Sequence, residues 1–214
     1  MAGKRTKQHH RLTSELEKTN EAYALAKISG TGYTIIDGQK QIVRPGDVLR
    51  MYEITDTKLG NFLREFAEQH SGVSLACMVA ADRYEHIINE IMPALGEGKI
   101  VISDRYILSS LILQEMDGVG TEFILNTNSE IIKPDLQLAV IADEKILQER
   151  LSERDVLTRF EKENQSKREL DFMEKGVREL GKHNIDIMNI YNNDNLDENV
   201  EKVISYIADR WRKV

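Results

Sequence analysis

The octapeptide Lys99-Ile100-Val101-Ile102-Ser103-Asp104-Arg105-Tyr106 decides the fold class. Its apolar run Ile100-Val101-Ile102 has no polar alternation, the pattern of a strand buried on both faces of a parallel sheet. Asp104 and Arg105 then place a carboxylate and a guanidinium at the carboxyl end of that strand. Open α/β sheets bind their ligands at those ends. For the tripeptide Asp104-Arg105-Tyr106 alone, a structural ion pair is the plainer reading.

Working outward, a second apolar run covers 136–141, just after Pro134-Asp135, and 185–190 is a third strand candidate. Residues 48–52 read as a short strand. Tyr33-Thr34-Ile35-Ile36 and Gln41-Ile42-Val43 flank Asp37-Gly38, a favoured two-residue turn, and so predict a small hairpin. Helical spacing is found over 8–28, 58–70, 73–95 (with Pro93 as a candidate end), 109–116, 144–154, 167–180 and 199–212. Strands alternating with helices predict an α/β chain, three layers deep, with a parallel sheet. The stretch 152–169 is densely charged and is either a solvated helix or a mobile lid.

The chain has 214 residues, a length for one compact domain spanning 1–214. It carries 29 Lys and Arg against 36 Asp and Glu, a net charge of −7. So acidic a chain lacks the overall basic balance with which proteins displace counterions from nucleic acid. An anionic ligand must be held by a local cluster of cations. The single cysteine, Cys77, excludes an internal disulfide, and no Cys/His spacing suggests zinc. No signal peptide and no membrane-length apolar run is evident, so a cytoplasmic setting is expected. Cys77 and the methionines Met78, Met92 and Met116 read as core fillers.

Arginines recur at Arg50, Arg64, Arg83, Arg150, Arg154 and Arg159. Guanidinium groups grip phosphate bidentately, although most single surface arginines only solubilise. Gly3-Lys4-Arg5-Thr6 looks like the end of a phosphate-binding loop, G-x-x-x-x-G-K-[ST], with a basic tail as the plainer alternative.

Taken together, the blocks Ala81-Asp82-Arg83-Tyr84-Glu85-His86, Ile91-Met92-Pro93-Ala94-Leu95 and Val101 to Tyr106, with Ser109-Ser110 and Gln114, resemble the signature of the thymidylate kinases. Pro134-Asp135-Leu136 matches the strand that follows, and Arg150, Arg154 and Arg159-Phe160-Glu161 resemble the lid. The resemblance implies a P-loop NTPase-like fold with a helical lid at about 150–166 and an acceptor region at about 50–95. It implies transfer of the γ-phosphoryl of ATP to dTMP, giving dTDP, with Mg²⁺. Lys4, with Gly3, Arg5 and Thr6, would hold the donor phosphates, and Arg154 and Arg159 would close over ATP. Asp104 would orient the magnesium hydration or the acceptor phosphate. Arg50, Arg83 and Arg105 would hold the acceptor, Gln114 would read the thymine edge, and Ser109 and Ser110 would shape the pocket. A homodimer through helices between Asp56 and Leu95 is implied as well.

The chain departs from the family pattern in places. A buried strand and the first half of the phosphate loop are expected before Gly3 and are absent, which reads as a truncated N-terminus. Arg5 stands where Ser or Thr usually binds magnesium, and Val79 and Leu113 replace the aromatics that flank the base. The alternatives are a kinase of another nucleoside monophosphate and a non-catalytic nucleotide-binding relative.

Overall fold

The computed structural model describes residues 33–36, 39–42, 48–154, 161, 165–193 and 196–211, with backbone alone before residue 51 and after residue 207. These residues fall into two compact units, one drawn from Met1–Arg50, Glu97–Ile102 and Asp194–Val214, the other from Met51–Gly96 and Ser103–Asn193.

In the first unit, β1 (Tyr33–Ile36) and β2 (Gln39–Ile42) form the expected hairpin. They pair antiparallel with Ile36 opposite Gln39, while the expected Asp37-Gly38 turn lies outside the described residues. The helix α8 (Leu196–Trp211) packs against β1.

β3 (Val48–Tyr52) pairs with β4 (Ile100–Asp104). In the second unit, β5 (Gln137–Ile141) pairs parallel with β6 (Ile187–Tyr191), Ala139 lying opposite Asn189. Among the described residues, this unit carries the helices α1 (Lys58–Ala67), α2 (Gly72–His86), α3 (Met92–Gly96), α4 (Ile107–Met116), α5 (Thr121–Thr127), α6 (Glu144–Ser152) and α7 (Ser166–Lys182), besides helical backbone at Glu161. The parallel pair β5–β6 and the strands joined through helices make an α/β fold, as predicted. However, β4 is half-buried along its whole length and not buried on both faces as its apolar run led one to expect. The core is formed by Leu63, Leu75, Ala80, Ile107, Leu111, Ile124, Ala139 and Leu180, all fully or nearly fully buried.

Pro93 does not end the long helix as expected. A π-helical turn over Ile87–Ile91 precedes it, with the Met92 N–H donating to the Ile87 carbonyl. Pro93 then falls in the first turn of α3, where a missing N–H costs least. The spacing also missed α5, which is too short to show a periodicity.

Close packing fixes two helices where the site is built. On α7, a Cβ at Gly176 would lie 2.9 Å from Leu108 Cδ1, so glycine lets α7 lie directly on α4. On α1, the Thr57 hydroxyl caps the helix by accepting from Gly60 N–H at 3.1 Å. A Cβ on Gly60 would stand 2.0 Å from the Thr55 carbonyl oxygen, a backbone atom with no room to move. Gly60→Ala is therefore expected to destabilise by about 2–3 kcal/mol or more, the range of an overpacked core. Urea unfolding checks this, and an unchanged midpoint would contradict the contact.

Candidate active site

The candidate site grows from the ends of β3 and β4. Glu53, just past β3, donates its N–H to the Asp104 carbonyl at 3.1 Å, tying the two strand ends together. The loop that follows is latched to α2 by consecutive buried ions. Thr55 donates its N–H (2.9 Å) and its hydroxyl (2.6 Å) to the two oxygens of Asp82. Arg83 donates from Nε and Nη2 to the Glu53 carboxylate, with the Nη2 bond at 2.7 Å. Arg64 clamps the other side, donating to the Ile54 carbonyl at 2.5 Å and to Asp56 at 2.9 Å. Arg64, one of the arginines noted in the sequence, thus positions a loop.

Arg83 is the most enclosed cation among the described residues, its residue only 1% exposed. Besides Glu53, it donates from Nη2 to Ser110 Oγ at 2.7 Å and from Nη1 to Asn128 Oδ1. Its guanidinium lies 5.4 Å from the centre of the Tyr106 ring. Burial raises the Tyr106 phenol well above its ordinary range, against the pull of Arg83, so it stays a neutral donor. Its hydroxyl donates to the Ile132 carbonyl at 3.0 Å. Charge paired on several sides in this way satisfies a buried guanidinium.

One helical turn beyond Ser110, Gln114 Nε2 donates to the same Ser110 Oγ at 3.3 Å. Gln114 is 5% exposed. Among the described residues its Oε1 is the buried side-chain polar atom with no hydrogen-bond partner. A buried carbonyl left without a donor costs about 1–3 kcal/mol, and such an atom is a place for a ligand's N–H.

Arg105, exposed after β4, has φ +72°. That left-handed backbone costs an L residue about 1–2 kcal/mol. Ser103 Oγ holds the turn by donating to the Arg105 carbonyl at 2.7 Å. The strained conformation sits at the strand end, at a residue that the family resemblance implies would hold the acceptor phosphate. Asp104 is half-buried beside it, and Ser109 is half-buried on α4, its N–H bonded to the Tyr106 carbonyl at 3.0 Å. Arg154, just past α6, pairs with Glu161. Arg150 donates to the Asn193 carbonyl at 3.4 Å.

Glu169, in the first turn of α7, is half-buried and lies within electrostatic reach of Arg105, Glu161 and Arg154. Burial raises its carboxyl above the usual range; Arg105 and Arg154 pull it down and Glu161 pushes it further up. Its folded pKa therefore lies above its unfolded one. The stability it contributes is full below the unfolded pKa and is lost as pH rises through the folded pKa. Glu169→Gln, which imitates the protonated acid, is expected to be more stable than the natural chain at pH 7. That advantage should fade toward about pH 4, near the unfolded glutamate value. Urea unfolding at both pH values checks this, and an equal advantage at both would contradict it.

The structure thus brings Asp104, Arg105, Ser109 and Gln114 onto one strand end and the helix after it, with Arg83 beneath, and Arg154 near Arg105 through Glu169. Gly3, Lys4, Arg5, Thr6 and Arg159 lie outside the described residues, as does the side chain of Arg50, whose backbone is in β3. Glu53, Asn128 and Glu169 were missed from sequence. Glu53 carried a signal, since it follows β3 much as Asp104 ends β4. Cys77 is exposed, not a core filler, because it faces outward on α2 in line with Val73 and Ala81. Met92 is exposed for a similar reason, while Met116 is buried as expected.

An α/β fold with paired charges beyond its strand ends is the layout of a nucleotide-binding enzyme. A family model described as thymidylate kinase matches residues 40–203. The thymidylate kinase of Caldicellulosiruptor saccharolyticus is 33% identical over 197 residues, covering 86% of this chain and 93% of its own. A probable thymidylate kinase of Pyrobaculum aerophilum is 34% identical over 143 residues, covering 64% and 73%. The crystal structure of thymidylate kinase from Ehrlichia chaffeensis superposes with a TM-score of 0.60 at 20% identity, covering 89% of this chain and 92% of that one, a likeness of fold. The chain belongs to the thymidylate kinase family.

Proposed function

We propose that the chain transfers the γ-phosphoryl group of ATP to dTMP, giving dTDP and ADP. The observation that carries this reading is the buried Gln114 Oε1, an acceptor without a donor. Thymine offers an N3–H at its Watson–Crick edge, whereas cytosine offers a bare N3 acceptor there. An acceptor held by Ser110 therefore selects the thymine edge. Arg105 grips the acceptor phosphate, while Arg83, whose donors are engaged by protein groups, supports the base end. Ser109, half-buried on the same helix, shapes the pocket, and Arg50 completes the acceptor side. Gly3, Lys4, Arg5 and Thr6 hold the donor phosphates, and Arg154 and Arg159 close over them. Catalysis of this kind is positioning and charge neutralisation, with little covalent work for the protein.

Magnesium bound to a nucleotide keeps several waters and needs only one or two protein carboxylates. Asp104, half-buried at the end of β4, fits that requirement and would hold the ion. When bound, magnesium neutralises charge on the transferring phosphates.

The acceptor-region helices leave Phe62, Val73, Ile88, Met92 and Leu95 exposed. Val73, Cys77, Ala81 and Ile88 recur at helical spacing along one face. This face serves a homodimer. No helix among the described residues is long and apolar enough to cross a membrane. An exposed thiol at Cys77 suits a reducing cytoplasm.

The test is ADP formation by the whole chain with Mg-ATP and dTMP, beside a dTMP-free control. A dTMP-dependent turnover of about 1–100 s⁻¹ is expected, the ordinary range for kinases. A folded sample with no dTMP-dependent turnover would overturn the reading.

A further inference from the structure

We propose that Asn128 is a positioning residue for base discrimination, acting through Arg83 and Ser110 on the Gln114 amide. The proposal rests on the acceptor reading above and adds to it a residue that touches no substrate.

Asn128 lies at the C-terminal end of α5 and is 4% exposed. Its Nδ2 donates to the Ile124 carbonyl at 2.8 Å, which settles the orientation of the amide and turns Oδ1 toward Arg83. Oδ1 there accepts from Arg83 Nη1. Glu53 holds the opposite edge of the guanidinium through Nε and Nη2. A guanidinium held along one edge only can still rock about that edge. The Asn128 carbonyl at the far nitrogen removes the motion.

What the fixed plane controls is Ser110. Arg83 Nη2 reaches Ser110 Oγ at 2.7 Å, and Gln114 Nε2 reaches the same oxygen at 3.3 Å. Asn128, Arg83, Ser110 and Gln114 therefore form one hydrogen-bonded chain, which ends at the partnerless Gln114 Oε1. Tilting the guanidinium moves the serine oxygen that sets the amide, and with it the acceptor offered to the base.

The segment around Asn128 does not depend on this bond for its place. Tyr84 donates its hydroxyl to the Thr127 carbonyl at 3.0 Å and accepts from the Glu130 N–H at 3.2 Å. Tyr106 holds the chain further on through Ile132. The Asn128 carbonyl is thus free for a task other than anchoring the loop.

Two variants separate positioning from support. Asn128→Ala removes both hydrogen bonds, whereas Asn128→Asp keeps an acceptor for Arg83 and loses only the donor to Ile124. In Asn128→Ala, kcat/KM for dTMP should fall about tenfold, mostly through KM, the size of one charge-assisted hydrogen bond. The preference for dTMP over dCMP should narrow by about the same factor. Asn128→Asp should keep that preference within about threefold, although its thermal midpoint falls too. A folded Asn128→Ala with the natural preference, or a preference that tracks thermal midpoint equally in both variants, would overturn the proposal. If the natural chain fails to phosphorylate dTMP, the acceptor reading fails by itself. The side-chain ¹⁵N resonances of Arg83 in the ligand-free chain then decide the positioning: rotation about Cζ–Nη1 must quicken in Asn128→Ala and not in Asn128→Asp. Equal rotation in both overturns it.

Discussion

Arg105→Gly is expected to lower kcat/KM for dTMP by about two to three orders of magnitude, as loss of a preorganised donor does, while leaving the fold slightly more stable. The two effects have opposite signs for one reason. Arg105 sits at φ +72°, a conformation that glycine adopts without strain and arginine does not. Relief of that strain outweighs the added freedom of glycine in the unfolded chain by about 0.5–1 kcal/mol. For a domain of this size, that raises the thermal midpoint by about 1–4 °C. A residue kept in a costly conformation at a strand end marks a site where position is worth more than stability. Arg105→Lys should rescue little, because a single ammonium cannot grip phosphate along two edges. Steady-state kinetics and a thermal melt of the same sample check both halves. A glycine variant that loses stability and keeps activity would show that Arg105 supports the turn and not the phosphate.

The second large effect falls on stability. Arg83→Ala is expected to destabilise by about 3–5 kcal/mol, the cost of leaving a buried charge without its partner. Glu53 is the group left behind, 7% exposed at its side chain and paired with Arg83. Ser110 and Asn128 also lose the donor they accept from. Against a total stability of about 5–15 kcal/mol, that loss makes the variant marginal. Removing both charges, in Glu53→Ala with Arg83→Ala, should cost clearly less than the sum of the two single changes. Urea unfolding of the four proteins checks this. Additive losses would mean that the pair contributes nothing jointly and that the loop after β3 is held by the Thr55–Asp82 bonds and by Arg64 without it.

The parts of this fold legible in sequence were those whose physics is local. The run Ile100-Val101-Ile102 was legible as a strand, although the structure leaves it half-buried rather than buried, and the two β-prone runs 33–36 and 41–43 were legible as a pair. Asp104 and Arg105 could be placed because the end of a strand is visible in the residues themselves. Asn128 could not, because its role is made by a contact with Arg83 across 45 positions of chain. Glu53 likewise matters only because α2 brings Arg83 beneath it, 30 positions later. Helical spacing carried the reading through Pro93 to Leu95, but no residue pattern announced the π-helical turn over Ile87–Ile91. Ser109 and Ser110 look alike in sequence, yet the register of α4 puts only Ser110 between Arg83 and Gln114.

The most direct measurement of the central claim is the ratio of kcat/KM for dTMP to that for dCMP, taken on the whole natural chain with Mg-ATP. A buried Gln114 acceptor that receives the thymine N3–H rejects cytosine, which presents no donor there, and the expected ratio is at least about a hundredfold. A ratio near one, or one that favours dCMP, would contradict the assignment of Gln114 as the group that reads the base.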